Sequence, residues 1–143
     1  MKPTPKQRHM LLEAARKAAK HAYAPSSNFH VGAAVLTPSG EIVVGCNVEN
    51  SSYGLTNCAE RTAIFGAVAK GLLGQGKTIQ MIAVTCRDAV TAPLKGRSPC
   101  GACRQVIKEF STDETIIVVD DGKDGDVFSI EELLPYGFSF NRK

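Results

Sequence analysis

Apolar positions change period several times along the chain, and each change marks a predicted element. A helical spacing runs through Leu11, Ala14, Ala15, Ala18, Ala19 and Ala22. Thr4-Pro5-Lys6-Gln7 opens it as a capping box with proline at the first helical position. After a Pro/Ser connection over 23–28, residues 29–36 read as a strand whose small Gly32, Ala33 and Ala34 leave room for a helix. Thr37-Pro38-Ser39-Gly40 has type I turn chemistry, so 41–46 is predicted to return as the antiparallel partner of a hairpin.

Residues 47–57 are polar and turn-rich, and the period then becomes helical again. Ala63, Ile64, Ala67 and Val68 share one face and Gly71 stops the helix, so Cys58 opens it. The β-branched run 80–86 suits a buried strand, 87–98 is a loop, and 100–110 fits a helix with Val106, Ile107 and Phe110 inward. A second buried strand over 115–119, a polar turn, a short strand at Val127 and Phe128, and a capping box at Ser129–Glu132 before Pro135 complete the pattern. A helix, a hairpin and then helix–strand units predict one domain over 1–143, a three-layer α/β/α sandwich around a mixed sheet of about five strands.

Composition narrows the function classes. An apolar fraction of 43% with 22% charged residues is that of a folded globular chain, and no apolar run approaches the roughly 20 residues needed to cross a bilayer. The net charge of +3 is uneven: Lys2, Lys6, Arg8, Arg16, Lys17 and Lys20 face only Glu13 within the first 23 residues, and the rest of the chain is slightly acidic. A basic first helix without basic residues around the body favours a small uncharged substrate over nucleic acid. An amphipathic, acid-poor N-terminus also fits a transit peptide, but the capping box favours a structural helix. Five cysteines, an odd number, with no secretory pattern before them point to a reducing compartment, the cytoplasm.

The chemistry is concentrated in two short motifs, Cys58-Ala59-Glu60-Arg61 and Pro99-Cys100-Gly101-Ala102-Cys103-Arg104. Alone, Cys100 and Cys103 at i, i+3 fit a buried pair, a redox pair or half of a structural zinc site equally well. Cys58 at another predicted helix start shifts the balance, because helix N-termini favour thiolates and three of them can hold Zn2+ with one position open to water. Cys46 and Cys86 occur singly at strand ends and read as core; His9, His21 and His30 have no paired spacing with the cysteines. Glu60, two residues beyond Cys58, turns away from the ligand direction toward the open position and is the candidate proton carrier. Three thiolates give zinc a formal −1 charge that opposes hydroxide formation, so a cation must compensate. Arg61, next to Glu60, and Arg104, next to Cys103, are each placed to donate to the sulfurs; Arg61 is the preferred charge-tuning residue, and a solvated surface arginine is the alternative for Arg104.

Together these motifs resemble the zinc-dependent cytidine deaminases of the small homotetrameric type, a signature set that includes the three-cysteine variant and a non-ligand Glu. The resemblance extends through Phe29-His30-Val31-Gly32-Ala33-Ala34, Gly45-Cys46-Asn47-Val48-Glu49-Asn50 and Glu132-Leu133-Leu134-Pro135. It implies hydrolysis of cytidine and deoxycytidine to uridine and deoxyuridine plus ammonia in pyrimidine salvage, with zinc-bound hydroxide attacking C4 and Glu60 shuttling protons. It implies that Asn47 and Glu49 bind the ribose hydroxyls and that Phe29 and Ala59 contact the nucleoside. It further implies a homotetramer with shared sites, to which Tyr53 and Phe138 contribute. Ser26 departs from the Tyr that the family often carries there.

Overall fold

The structure, a computed structural model, describes residues 3–140; Lys2 of the basic N-terminal run lies outside them. Helix α1 (Pro5–Ala19) begins at the predicted capping box, with Thr4 accepting from the Gln7 amide and the Gln7 side chain returning to the Thr4 amide. Strands β1 (Val31–Leu36) and β2 (Ile42–Cys46) form the antiparallel hairpin, closed by the Gly40 amide donating to the Thr37 carbonyl at 2.9 Å. Helix α2 (Ala59–Ala69), strand β3 (Met81–Cys86), helix α3 (Gly101–Glu109), strands β4 (Ile116–Val119) and β5 (Asp126–Phe128), and helix α4 (Ile130–Leu133) follow.

The sheet has the order β2-β1-β3-β4-β5, with β3 and β4 parallel and the other pairs antiparallel. Period-2 alternation divides it into two cores. Ala34, Leu36, Met81, Ala83 and Val118 pack with Leu11, Leu12 and Ala15 of α1, while Ala33, Val35, Ile82, Val84, Ile117 and Val119 pack with α2, α3 and α4 on the other face. This is the expected three-layer arrangement.

Side-chain placement differs from the sequence reading in detail. Leu12, outside the predicted stripe, is fully buried, whereas Ala22 falls beyond the end of α1 and is only half-buried. Val68 is substantially exposed although its spacing places it beside Ala67, because α2 covers only the outer β2–β1 part of the sheet. Small residues let the helices approach the hairpin closely. At Gly45 a Cβ would lie 2.5 Å from the Ala63 amide nitrogen and 2.7 Å from the Ala59 carbonyl oxygen, so the first turn of α2 rests directly on the backbone of β2.

Candidate active site

The two motifs meet where α2 and α3 begin, beside the C-terminal end of β3, the usual location of sites in sheets with parallel strands. Cys58 is the N-cap residue of α2 and Cys100 that of α3, where its sulfur accepts from the Cys103 amide at 3.4 Å. The Sγ atoms of Cys58 and Cys100 are 3.9 Å apart, and all three sulfurs lie within 4.8 Å of one another. Ligands at about 2.3 Å from a tetrahedral zinc stand about 3.8 Å apart, so the cluster fits this ion. Among the described residues no fourth His, Cys, Asp or Glu joins the group.

Charge around the sulfurs is organised by Arg61, whose Nη2 donates to Cys58 Sγ at 3.0 Å. The hydrogen bond from Cys103 holds the Cys58 thiol well below its ordinary range, with Arg61 assisting and burial opposing. The same bond, together with burial, raises Cys103. The Nε of Arg61 is buried with no partner, a donor left over beside an electron-rich sulfur cluster. Arg104 is neither a sulfur donor nor a solvated side chain: it donates to the carbonyls of Pro99 (2.8 Å) and Leu133 (2.6 Å) and to Ser98 Oγ (3.0 Å). It thereby braces the start of α3 against the end of α4.

Glu60 is 4% exposed and lines a cleft of about 360 Å3 together with Cys58 and Cys100. Burial is the main influence on its carboxyl, joined by the negative charge of Cys58, and pushes it up to about 7. Phe29, Asn47, Glu49, Tyr53 and Ala59 border the same cleft. Asn47 has a structural task there: its Oδ1 accepts from the Val31 amide and its Nδ2 donates to the Phe29 carbonyl, both at 2.8 Å. Buried Glu49 accepts from the Ser26 amide at 2.7 Å, the Ser27 amide at 3.2 Å and the Ser27 hydroxyl. The hydroxyl bond from Ser27 leads the influences that lower its carboxyl, burial opposing. Phe138 stands apart from the cleft, 63% exposed, with its ring edge-on to Phe140 at 5.0 Å.

Cys86, read from the sequence as core, is buried but also borders the cleft. Alternation gave a usable signal: Ile82 and Val84 face the α2 side of the sheet, and the next residue on that face is Cys86. Burial raises its thiol to about 12, so it remains protonated. Cys46 is only half-buried, and His30 is engaged by Asp88, whose Oδ2 is 2.9 Å from Nδ1 and accepts from the His30 amide at 2.7 Å.

Comparison with known proteins identifies the family. Residues 5–119 match the family described as the cytidine and deoxycytidylate deaminase zinc-binding region. The chain is 42% identical over 134 residues to a cytidine deaminase of Halalkalibacterium halodurans, covering 92% of this chain and 94% of that one. It is 44% identical over 132 residues to a cytidine deaminase of Sporosarcina psychrophila, covering 90% and 89%. The crystal structure of a cytidine deaminase from Burkholderia pseudomallei superposes with a TM-score of 0.79 at 46% identity, covering 91% of this chain and 98% of that chain.

Proposed function

The chain belongs to the zinc-binding family of cytidine and deoxycytidylate deaminases, and on that premise we propose that it hydrolyses the amino group of free cytidine and deoxycytidine, giving uridine or deoxyuridine and ammonia. The observation that carries the reading is a buried carboxyl, Glu60, beside a three-sulfur cluster in a nucleoside-sized cleft. Held by Cys58, Cys100 and Cys103, zinc supplies the Lewis acidity that makes water a nucleophile at neutral pH.

Glu60 supplies the proton traffic. With its carboxyl pushed up to about 7, it takes a proton from the attacking water and places it on N3 of the cytosine ring. A C–O bond forms at C4, Glu60 passes the second proton of the water to the departing amine, and the C4–N bond breaks. The carboxylate ends as it began. Arg61 offsets the surplus negative charge of the sulfurs, which would otherwise oppose ionisation of water.

The sugar end is read from Asn47 and Glu49. Each end of the Asn47 amide keeps one hydrogen-bonding position beyond its backbone bonds, and the Glu49 carboxylate keeps one acceptor position, on Oε2, so both serve sugar hydroxyls. Phe29 and Ala59 supply apolar contact to the nucleoside. A buried anion at this end repels a phosphate, which favours the nucleoside over its monophosphate. The deciding experiment follows ultraviolet absorbance of cytidine and of cytidine monophosphate with the purified protein, alongside the zinc-to-chain ratio. Turnover of cytidine near one zinc per chain is expected; preference for the monophosphate, or no turnover of either, would reject the assignment.

Residues 1–143 are read as one catalytic domain working as a homotetramer in the cytoplasm, in pyrimidine salvage. Support for assembly comes from apolar side chains left in water, with Tyr53 60%, Leu55 70%, Phe138 63% and Phe140 75% exposed. In the tetramer Phe138 reaches a neighbour's cleft and Tyr53 completes its rim. Light scattering is expected to give four times the 15.3 kDa chain mass, and a fully active monomer would refute it. Among the described residues no helix is long and apolar enough to cross a membrane.

A further inference from the structure

Residues 87–99 connect the end of β3 to Cys100, and apart from two single-turn 3-10 segments they have no regular structure. A segment of this kind, left to itself, is among the softest in a fold. Yet it borders the cleft through Ser98 and delivers a sulfur that must sit within a few tenths of an ångström. At its beginning Asp88 is tied to His30. Near its end the ties to the sheet come from Arg97.

The Arg97 side chain is 12% exposed and reaches three separate places. Its Nε donates to the Ala92 carbonyl at 2.8 Å, closing the loop on itself. Its Nη1 donates to the Asp120 carbonyl, just past β4, at 3.3 Å and lies 2.7 Å from the carboxylate of Asp126, the first residue of β5. Its own carbonyl accepts from the Cys86 thiol at 3.5 Å, the last residue of β3. One residue therefore pins the loop to the ends of three neighbouring strands, three positions before Cys100.

We propose that Arg97 is a positioning residue for the metal centre: the fork of its guanidinium fixes the approach of Ser98-Pro99-Cys100 to the cleft, and the Cys86 thiol completes the clamp from the floor. Arg104 braces the same tripeptide through Ser98 and Pro99, so the segment that carries Cys100 is tied down by two guanidinium groups. Lysine cannot reproduce this arrangement, because a single ammonium does not reach the Ala92 carbonyl, the Asp120 carbonyl and the Asp126 carboxylate together. The inference rests on the cysteine cluster holding zinc, not on the identity of the substrate.

The test is Arg97→Met, read by melting temperature, by the rate at which a chromogenic chelator removes zinc, and by KM and kcat for cytidine. Well below its melting temperature, the variant is expected to release zinc at least about fivefold faster than the parent, with kcat reduced. Asp126→Asn, which leaves the two carbonyl bonds intact, is expected to change zinc release less than twofold. Zinc release and kcat both within twofold of the parent in a folded Arg97→Met protein would overturn the proposal, even if the melting temperature fell. If Arg97→Met does not fold, Arg97→Lys carries the same measurement, and release at the parental rate overturns it. Zinc release is measured without substrate, so failure of the cytidine assignment would show separately, as absence of turnover by the parent protein.

Discussion

Two acids are buried on opposite faces of the sheet, and their surroundings have been built to opposite ends. Asp120, 1% exposed on the α1 face, receives Arg16 through Nε (2.9 Å) and Nη2 (2.8 Å), the Thr85 hydroxyl (2.7 Å) and the Gly122 amide (2.9 Å). Burial works against its ionisation, but these donors together outweigh it and hold the carboxyl below its usual range. Glu60, on the α2 face, has burial as its dominant influence and a neighbouring thiolate besides, and is pushed up to about 7. Neither buried acid is an accident of packing. A carboxylate whose donors outweigh its burial is a structural tie, whereas one whose burial outweighs its donors beside a sulfur cluster is left ready to exchange a proton.

The sharpest way to break this contrast is at Glu60. Glu60→Gln removes the exchangeable proton but keeps size and shape, so kcat is expected to fall by about 10^3-fold or more. Zinc content and melting temperature should stay at or above those of the parent, since a neutral amide costs less to bury. A variant with near-parental turnover would dissolve the distinction between the two acids.

Asp120→Asn should do the reverse. It leaves the Arg16 guanidinium with Glu13 as its remaining acid, takes the charge out of the buried end of the pair, and is expected to cost about 2–3 kcal/mol in urea unfolding while activity persists. A smaller effect is expected from pH. An unfolded aspartate titrates near 3.9, and the folded Asp120 lies lower. The stability it contributes is therefore complete above about 3.9 and is lost as pH falls through the folded value. In zinc-free protein the unfolding midpoints of the parent and Asp120→Asn should converge below about pH 4; a constant gap would show that the charge is not what holds Asp120. Smallest of the four, Thr85→Val removes one donor and should cost about 1 kcal/mol by the same urea measurement.

The Glu60 side of this comparison was visible in the sequence and the Asp120 side was not. Cys58, Glu60, Cys100 and Cys103 lie in short motifs whose spacing and helix-start positions speak for themselves, and local signals of the same kind, such as the two capping boxes and the hairpin turn, located the elements. The Arg16–Asp120 pair joins residues 104 positions apart, and nothing local marks either member. Arg97 escaped for the same reason, since its acceptors are mostly backbone carbonyls, which the identity of a residue does not reveal. Arg104 was read as a sulfur donor or a solvated cation because it adjoins Cys103; helical geometry instead directs it to Pro99 and Leu133. Val68 shows the limit of periodicity, which identifies the side-chain row but not the width of the sheet it must cover.

The missing side chain at Gly45 carries a consequence for how this catalyst tolerates change. The turn that bears Ala59, Glu60 and Ala63 has no clearance above the hairpin, so a single added methyl would act as a wedge beneath the proton carrier and its adjoining sulfur. Gly45→Ala should thus silence the reaction through displacement alone, with every reacting group still present. A strand position outside the cleft is therefore as closed to enlargement as the residues that react.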